Sequence, residues 1–211
     1  MIKAVVFDMD GVLIEAKEWH YEALNRALRL FGLEISRYDH LTTFDGLPTR
    51  RKLEILSTQY HLPAALHEFI NEMKQRYTME LVNAHCKPRF NHEFALSRLK
   101  AKGYRLAVAS NSIRHTIEVM MERAALDKYL EFTISNEDVS RGKPDPEMYN
   151  LAIARFGIEP AECLIVEDND HGIRAAQAAG GHVLAVDDVN EVTLANITRR
   201  IAECDVAAAA D

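Results

Sequence analysis

Cysteine is scarce in this chain. Cys86, Cys163 and Cys204 are the only ones among 211 residues, and no two form a Cys-x-x-Cys pair. An odd count without that spacing argues against a disulfide framework or a zinc site and fits reduced thiols in a cytoplasmic setting. Long apolar runs are missing too, so no segment reads as a membrane span. The apolar run ahead of Asp8 is too short for a signal peptide. Basic charge is in deficit: 25 Lys and Arg face 32 Asp and Glu, a net charge of -7. That balance argues against non-specific nucleic-acid binding as a main role. Internal repeats are lacking, and low complexity is confined to the tail Ala207 to Ala210, expected to be frayed or a helix end. The expectation is a cytoplasmic protein with no nucleic-acid or membrane partner.

What is present is ordinary globular material, 48% hydrophobic and 27% charged, enough for one large domain or a domain with an insertion. Ala4-Val5-Val6-Phe7 reads as a short buried strand. The run stops on two carboxylates one residue apart, Asp8 and Asp10, followed by Gly11. Unpaired carboxylates are costly in an apolar interior, so both belong where the strand leaves the sheet, close to something cationic. From about Lys17 to Asn83 the chain is all helix and loop. Trp19, Ala23, Leu24, Ala27, Leu28 and Phe31 recur at helical spacing, with Gly32 as the stop. Leu41 to Pro48 has turn chemistry, and Pro48 opens a second helix through Leu53, Ile55 and Leu56. A third helix carries Leu66, Phe69, Ile70, Met73 and Tyr77.

After Pro88 the pattern alternates. Helices are expected around Phe90–Leu99, Ile113–Met121, Met148–Phe156 and Ile173–Ala179, with Asp145-Pro146 opening the third of them. Strands are expected at 105–109, 132–134, 163–166 and 182–186. Such alternation signals a parallel α/β sheet. The simplest architecture is a sheet domain, 1–15 with 86–211, and a helical cap, 16–85, inserted after the first strand. In a parallel sheet the carboxyl ends of the strands share one edge, where ligands bind. That edge collects Asp8 and Asp10, Ser110 and Asn111, Lys143 from Gly142-Lys143-Pro144, and Glu167 and Asp168. Oxygen ligands from Asp8, Asp10 and Asp168 suit a hard cation such as Mg²⁺. Lysine, a serine hydroxyl and helix N-termini suit a phosphoryl group. Singly, Lys143 could be a solvated lysine, Ser110 a helix cap and Asp168 a partner of Arg174.

Taken in order, Asp8-Met9-Asp10-Gly11-Val12, Ser110-Asn111, Gly142-Lys143-Pro144 and Glu167-Asp168-Asn169 with Gly172-Ile173-Arg174-Ala175-Ala176 resemble the four signature motifs of the haloacid dehalogenase superfamily. The insertion resembles the cap of its beta-phosphoglucomutase and phosphoglycolate phosphatase branch. The resemblance implies an α/β fold, a Rossmann-like parallel sheet core with an inserted helical cap. It implies a Mg²⁺-dependent phosphatase of a small phosphorylated metabolite, with a sugar phosphate as first expectation and a beta-phosphoglucomutase-type mutase as the alternative. It implies Asp8 as nucleophile, Asp10 as general acid and base, Ser110 and Lys143 as phosphoryl-binding catalytic residues and Asn111 as a substrate-positioning residue. Asp8, Asp10 through its carbonyl, Asp168 and, through water, Glu167 would serve the metal. The Lys143-Pro144 bond is expected to be cis. A receiver-type signalling module would share the aspartate, lysine and metal, but is shorter and carries its acceptor in mid-chain.

On the cap, the resemblance implies substrate contacts from His20 and from the loop around Gly46 and Arg50. Arginine suits bidentate recognition of an anionic group. Arg51 and Lys52 are read as a solvated basic face. The mutase pattern expects Ser-Arg in that loop, whereas this chain has Pro48-Thr49 with the arginine one place later. The oligomeric expectation is a monomer or weak dimer.

Overall fold

A computed structural model describes residues 1–44 and 46–208. Five strands form one parallel sheet: β1 Ala4–Phe7, β2 Arg105–Ala109, β3 Phe132–Ile134, β4 Cys163–Glu167 and β5 His182–Ala185. Their spatial order is β3-β2-β1-β4-β5. Nine α-helices lie among the described residues: α1 Lys17–Arg29, α2 Arg37–Asp39, α3 Thr49–Tyr60, α4 His67–His85, α5 Phe90–Ala101, α6 Arg114–Arg123, α7 Glu147–Phe156, α8 Asp170–Ala178 and α9 Leu194–Ala208. None is long and apolar enough to cross a membrane. The chain divides into two compact units, Met1–Glu15 with Lys87–Asp211, and Ala16–Cys86. The boundary expected at 85/86 thus falls one residue before the observed one.

The sheet unit explains why its strands read as unbroken apolar runs. Ala4, Val6, Ala107, Ala109, Ile134, Cys163 and Ile165 pack in one cluster with Met148, Tyr149, Ala152 and Phe156 of α7 and Ala175 and Ala176 of α8. Residues of the other parity, Val5, Phe7, Leu106, Val108, Leu164 and Val166, are buried as well. Helices α5 and α9 pack on β2, on β5 and on each other. A strand covered on both faces has no polar side to show, so alternation disappears. Each large side chain removed from water here contributes about 1.5–3 kcal/mol.

Chain order reverses between β1 and β4: β2 and β3 extend the sheet to one side of β1, β4 and β5 to the other. That reversal opens a crevice at the carboxyl edge. Phe7 pairs with both Val108 and Val166, which sets Asp8 level with Ala109 and Glu167.

The helical unit has its own core of Leu24, Leu28, Ile35, Phe44, Leu53, Leu56, Leu62 and Ile70, with α1 packed on α4. Buried Asn25 ties the chain after α1 in place, donating to the Ile35 carbonyl and accepting from its N–H, both at 3.0 Å.

Several sequence expectations shift. Helix α4 runs past Tyr77 to His85, because Thr78 and Val82 continue its buried stripe. Part of the expected 41–48 loop is a π-helical turn, His40–Phe44, that buries His40 and Phe44; Asp45 lies outside the described residues. Lys52 is a correction: it is buried, not solvated, and it stands one turn before buried Leu56 on α3. Helix α9 has no counterpart in the sequence reading, although Ile197, Ile201 and Cys204 are buried at helical spacing. It reaches Ala208; the rest of the alanine tail lies outside the described residues.

Candidate active site

The aspartate pair is set by a tight turn. After β1 the Met9 carbonyl accepts from the N–H groups of Val12, Leu13 and Ile14, and the Gly11 N–H donates to Ile14 O at 2.7 Å. Gly11 sits at φ 93°, a conformation that side chains strain to adopt and glycine does not. Asp8 is thereby buried at the strand end while Asp10, half-buried, turns its Oδ2 to the Ser112 hydroxyl at 3.0 Å. Ser112 in turn donates its N–H to Ser110 Oγ at 3.1 Å. Ser112 thus bonds Asp10 through its hydroxyl while its backbone N–H is held by Ser110.

Lys143 reaches the centre from the loop after β3. Its ammonium donates to Asp8 Oδ1 at 2.5 Å, Glu167 Oε1 at 2.6 Å and the Ala109 carbonyl at 2.9 Å. The loop is held by Asn111, whose Oδ1 accepts from Lys143 N at 3.1 Å and whose Nδ2 donates to Lys143 O at 3.4 Å. Gly142 is required beside it, because a β-carbon there would lie 2.5 Å from Asn111 Oδ1. The Lys143-Pro144 peptide is cis. Asp145 opens α7 by accepting from Glu147 N at 3.0 Å.

Glu167 and Asp168 end β4. Glu167 is fully buried. Its Oε1 accepts from Lys143 and from the Tyr149 hydroxyl, the latter at 2.5 Å, and its Oε2 accepts from Asp168 N at 3.1 Å. Asn169 caps α8 by accepting from Gly172 N at 3.0 Å.

Burial pushes the Asp8 carboxyl well above the usual carboxylate range; Lys143 pulls it down, but Glu167, Asp168 and Asp10 push it up again. Burial alone would lower Lys143, and the carboxylates of Asp8 and Glu167 outweigh that and raise it. Four carboxyl groups, Asp8, Asp10, Glu167 and Asp168, thus share one ammonium, so their charged forms outnumber the positive charge here. Oxygen atoms of Asp8, Glu167 and Asp168 lie within 4.8 Å of one another. An all-carboxylate donor set with surplus negative charge fits a hard divalent cation such as Mg²⁺.

The structure brings Asp8, Asp10, Ser110, Asn111, Lys143, Glu167 and Asp168 to one sheet edge. His20, Gly46 and Arg50 belong to the helical unit. His20 Nδ1 lies 3.3 Å from Lys74 Nζ, Gly46 turns the chain at φ 70°, and Arg50 leaves 91% of its side chain exposed while reaching Glu54 at 3.4 Å. Sequence reasoning missed Tyr149 and Ser112. Tyr149 reads as one more apolar position of α7; its signal is that a buried phenol needs a partner for its O–H.

A parallel sheet that presents an aspartate pair, a lysine and a second acidic pair around its switch point defines a hydrolase of haloacid dehalogenase type. Residues 5–186 match the model of that family, haloacid dehalogenase-like hydrolase, and the chain belongs to it. A phosphorylated carbohydrates phosphatase from Thermotoga maritima is 31% identical over 182 residues, 85% of this chain and 82% of the relative. A phosphoglycolate phosphatase from Aquifex aeolicus is 28% identical over 180 residues, 85% of this chain and 82% of that one. In fold, the chain resembles the beta-phosphoglucomutase from Clostridium difficile, with TM-score 0.84, 22% identity and coverage of 98% of this chain and 100% of that one.

Proposed function

We propose that the protein is a Mg²⁺-dependent phosphatase that hydrolyses a small phosphorylated metabolite, a sugar phosphate, through an aspartyl phosphate on Asp8. The observation that carries this is the buried Asp8 carboxylate, 2.5 Å from Lys143 and clustered with Asp168 beside the β1/β4 reversal. The phosphorylated carbohydrates phosphatase among the relatives supports the substrate class.

In this reading an Asp8 oxygen attacks phosphorus and the ester P–O bond breaks. Asp10 gives its proton to the departing alcohol, then takes one from water, whose oxygen attacks the aspartyl phosphate and releases inorganic phosphate. The Ser112 hydroxyl aims Asp10 for both transfers. Lys143 and Ser110 neutralise and hold the phosphoryl oxygens. Asp8, Asp168 and the Asp10 carbonyl are the residues for Mg²⁺, which when bound neutralises phosphoryl oxygens and the repulsion among the carboxylates. The grip of Asn111 on the Lys143 main chain supports a loop-holding role in place of direct substrate contact. His20, Gly46 and Arg50 are the proposed substrate-selecting residues of the helical unit, and the proposed setting is cytoplasmic.

The test is to incubate the protein with β-glucose 1-phosphate, a trace of the bisphosphate and Mg²⁺, and to follow free phosphate and glucose 6-phosphate together. Phosphate release is expected to outpace isomerisation, and Asp8→Asn to abolish it. Rapid glucose 6-phosphate formation with little free phosphate would replace the phosphatase reading with a mutase.

A further inference from the structure

Lys143 has an arithmetic constraint. An ammonium carries three protons, and Asp8, Ala109 O and Glu167 accept at 2.5, 2.9 and 2.6 Å. A phosphoryl oxygen can therefore gain a full hydrogen bond from Lys143 only by displacing one of these acceptors. Ala109 O belongs to the last residue of β2 and cannot retreat without disturbing the sheet. Glu167 is fixed from several sides: Tyr149 donates to its Oε1 and Asp168 N to its Oε2, while α8 closes over its carboxylate at Gly172. The bond to Asp8 is the one that can be exchanged, because Asp8 turns from acceptor to nucleophile as the reaction begins.

Tyr149 touches one of the fixed acceptors, Glu167, and the lysine itself. It is fully buried in α7. Its hydroxyl donates to Glu167 at 2.5 Å, and Lys143 Nζ stands 4.8 Å from the centre of its ring, within cation–π range. We infer that Tyr149 is a positioning residue for phosphoryl transfer: its hydroxyl and ring hold Glu167 and Lys143 so that the ammonium pivots from Asp8 to the transferring phosphoryl group on two fixed hydrogen bonds. Tyr149 touches no substrate and acts through Lys143. This rests on reading Lys143 as the lysine that neutralises the phosphoryl group.

The experiment uses the full chain and p-nitrophenyl phosphate with Mg²⁺, comparing wild type, Tyr149→Phe, Tyr149→Leu and Lys143→Met. Melting temperature, kcat, KM, the Mg²⁺ concentration for half-activation and inhibition by orthovanadate are measured for each. Tyr149→Phe keeps the ring and removes the hydroxyl, and its kcat is expected to fall roughly 10-fold, in the range for losing a group that orients a catalytic one. KM and the Mg²⁺ requirement should stay near wild type, and orthovanadate, which resembles phosphorus in transfer, should bind more weakly by a similar factor. Tyr149→Leu should fall further. Three results would overturn the inference: an unchanged kcat in Tyr149→Phe with only a lower melting temperature, a loss confined to KM, or a shift in Mg²⁺ requirement larger than the change in kcat. If Tyr149→Leu does not fold, Tyr149→Phe decides. Full activity in Lys143→Met would instead sink the underlying phosphatase site, whereas a dead Lys143→Met beside a wild-type Tyr149→Phe would sink the role of Tyr149 alone.

Discussion

A β-carbon on Gly172 would lie 1.9 Å from Glu167 Oε1 and 2.0 Å from its Cδ. Gly172 stands in the first turn of α8, and glycine inside a helix ordinarily costs about 0.5–1 kcal/mol relative to alanine. Helix propensity alone would make Gly172→Ala stabilising. The buried carboxylate reverses the sign, because Glu167 is held by Lys143, Tyr149 and Asp168 N and has nowhere to move. Gly172→Ala is expected to lose stability, by roughly the 1–3 kcal/mol typical of an overpacked core, and to lose most turnover with it. Urea unfolding and a phosphate-release assay on the purified variant check both. A variant at least as stable as wild type would show that Glu167 has room to move.

Asn111 gives a second test, because two roles make opposite demands. Its amide binds the Lys143 main chain at both N and O. Asn111→Ala should cost about 1–3 kcal/mol, the sum of two modest hydrogen bonds at roughly 0.5–1.5 each. Its kcat should fall as the lysine loop loosens. Had Asn111 served only to touch substrate, KM would rise with stability unchanged. Paired measurements of unfolding and kinetics separate the two.

The sheet and the strand-end residues were legible because parallel strands buried on both faces write continuous apolar runs, and each run here ends abruptly in a polar residue. Phe7 gives way to Asp8, Ala109 to Ser110, Val166 to Glu167. What was not legible was which polar atoms meet. Nothing in Ser110-Asn111-Ser112 says that the asparagine turns to the lysine loop and the second serine to Asp10. Tyr149 was hidden for a similar reason: it keeps the helical period of α7, so it reads as core until its hydroxyl is seen on Glu167. Lys52 misled because charge suggests solvent, whereas it shares the buried positions of α3 with Leu53 and Leu56.

The β3 end carries a pH-dependent contribution to stability. Burial would raise the Asp138 carboxyl, but hydrogen bonds from the Ser135 N–H and hydroxyl, and from Arg114, outweigh it and bring the group down to about 2. Both Ser135 bonds are 2.8 Å and the Arg114 bond is 3.0 Å. The folded state therefore prefers the charged form. The resulting stability is fully present above the unfolded value of 3.8 and is lost as pH falls from there towards 2. At neutral pH it amounts to about 2 kcal/mol. Asp138→Asn should be destabilised by up to that amount at pH 7, with the gap to wild type closing below pH 4. Urea midpoints at several pH values measure it, and a gap that stays constant down to pH 3 would remove the electrostatic origin.

Metal binding makes a prediction that needs no turnover. Asp8, Glu167 and Asp168 bring carboxylate oxygens within 4.8 Å, and the charge balance around Lys143 leaves negative charge in excess. A cation that binds only the folded chain adds RT ln(1 + [L]/Kd), about 2.7 kcal/mol at a hundred times Kd. For a chain of this size, that corresponds to roughly 5–10 °C in melting temperature. Adding Mg²⁺ to EDTA-treated protein should therefore raise the melting temperature, and the rise should grow with the logarithm of concentration. Asp168→Asn removes one charged oxygen ligand while leaving Lys143, Glu167 and Tyr149 as they are. Its metal-free melting temperature should match or exceed that of wild type, since one repelling carboxylate is gone, whereas its Mg²⁺-induced rise should shrink or vanish. Equal rises in both proteins would place the cation elsewhere, and no rise in either would leave Lys143 as the chief neutralising charge of the site.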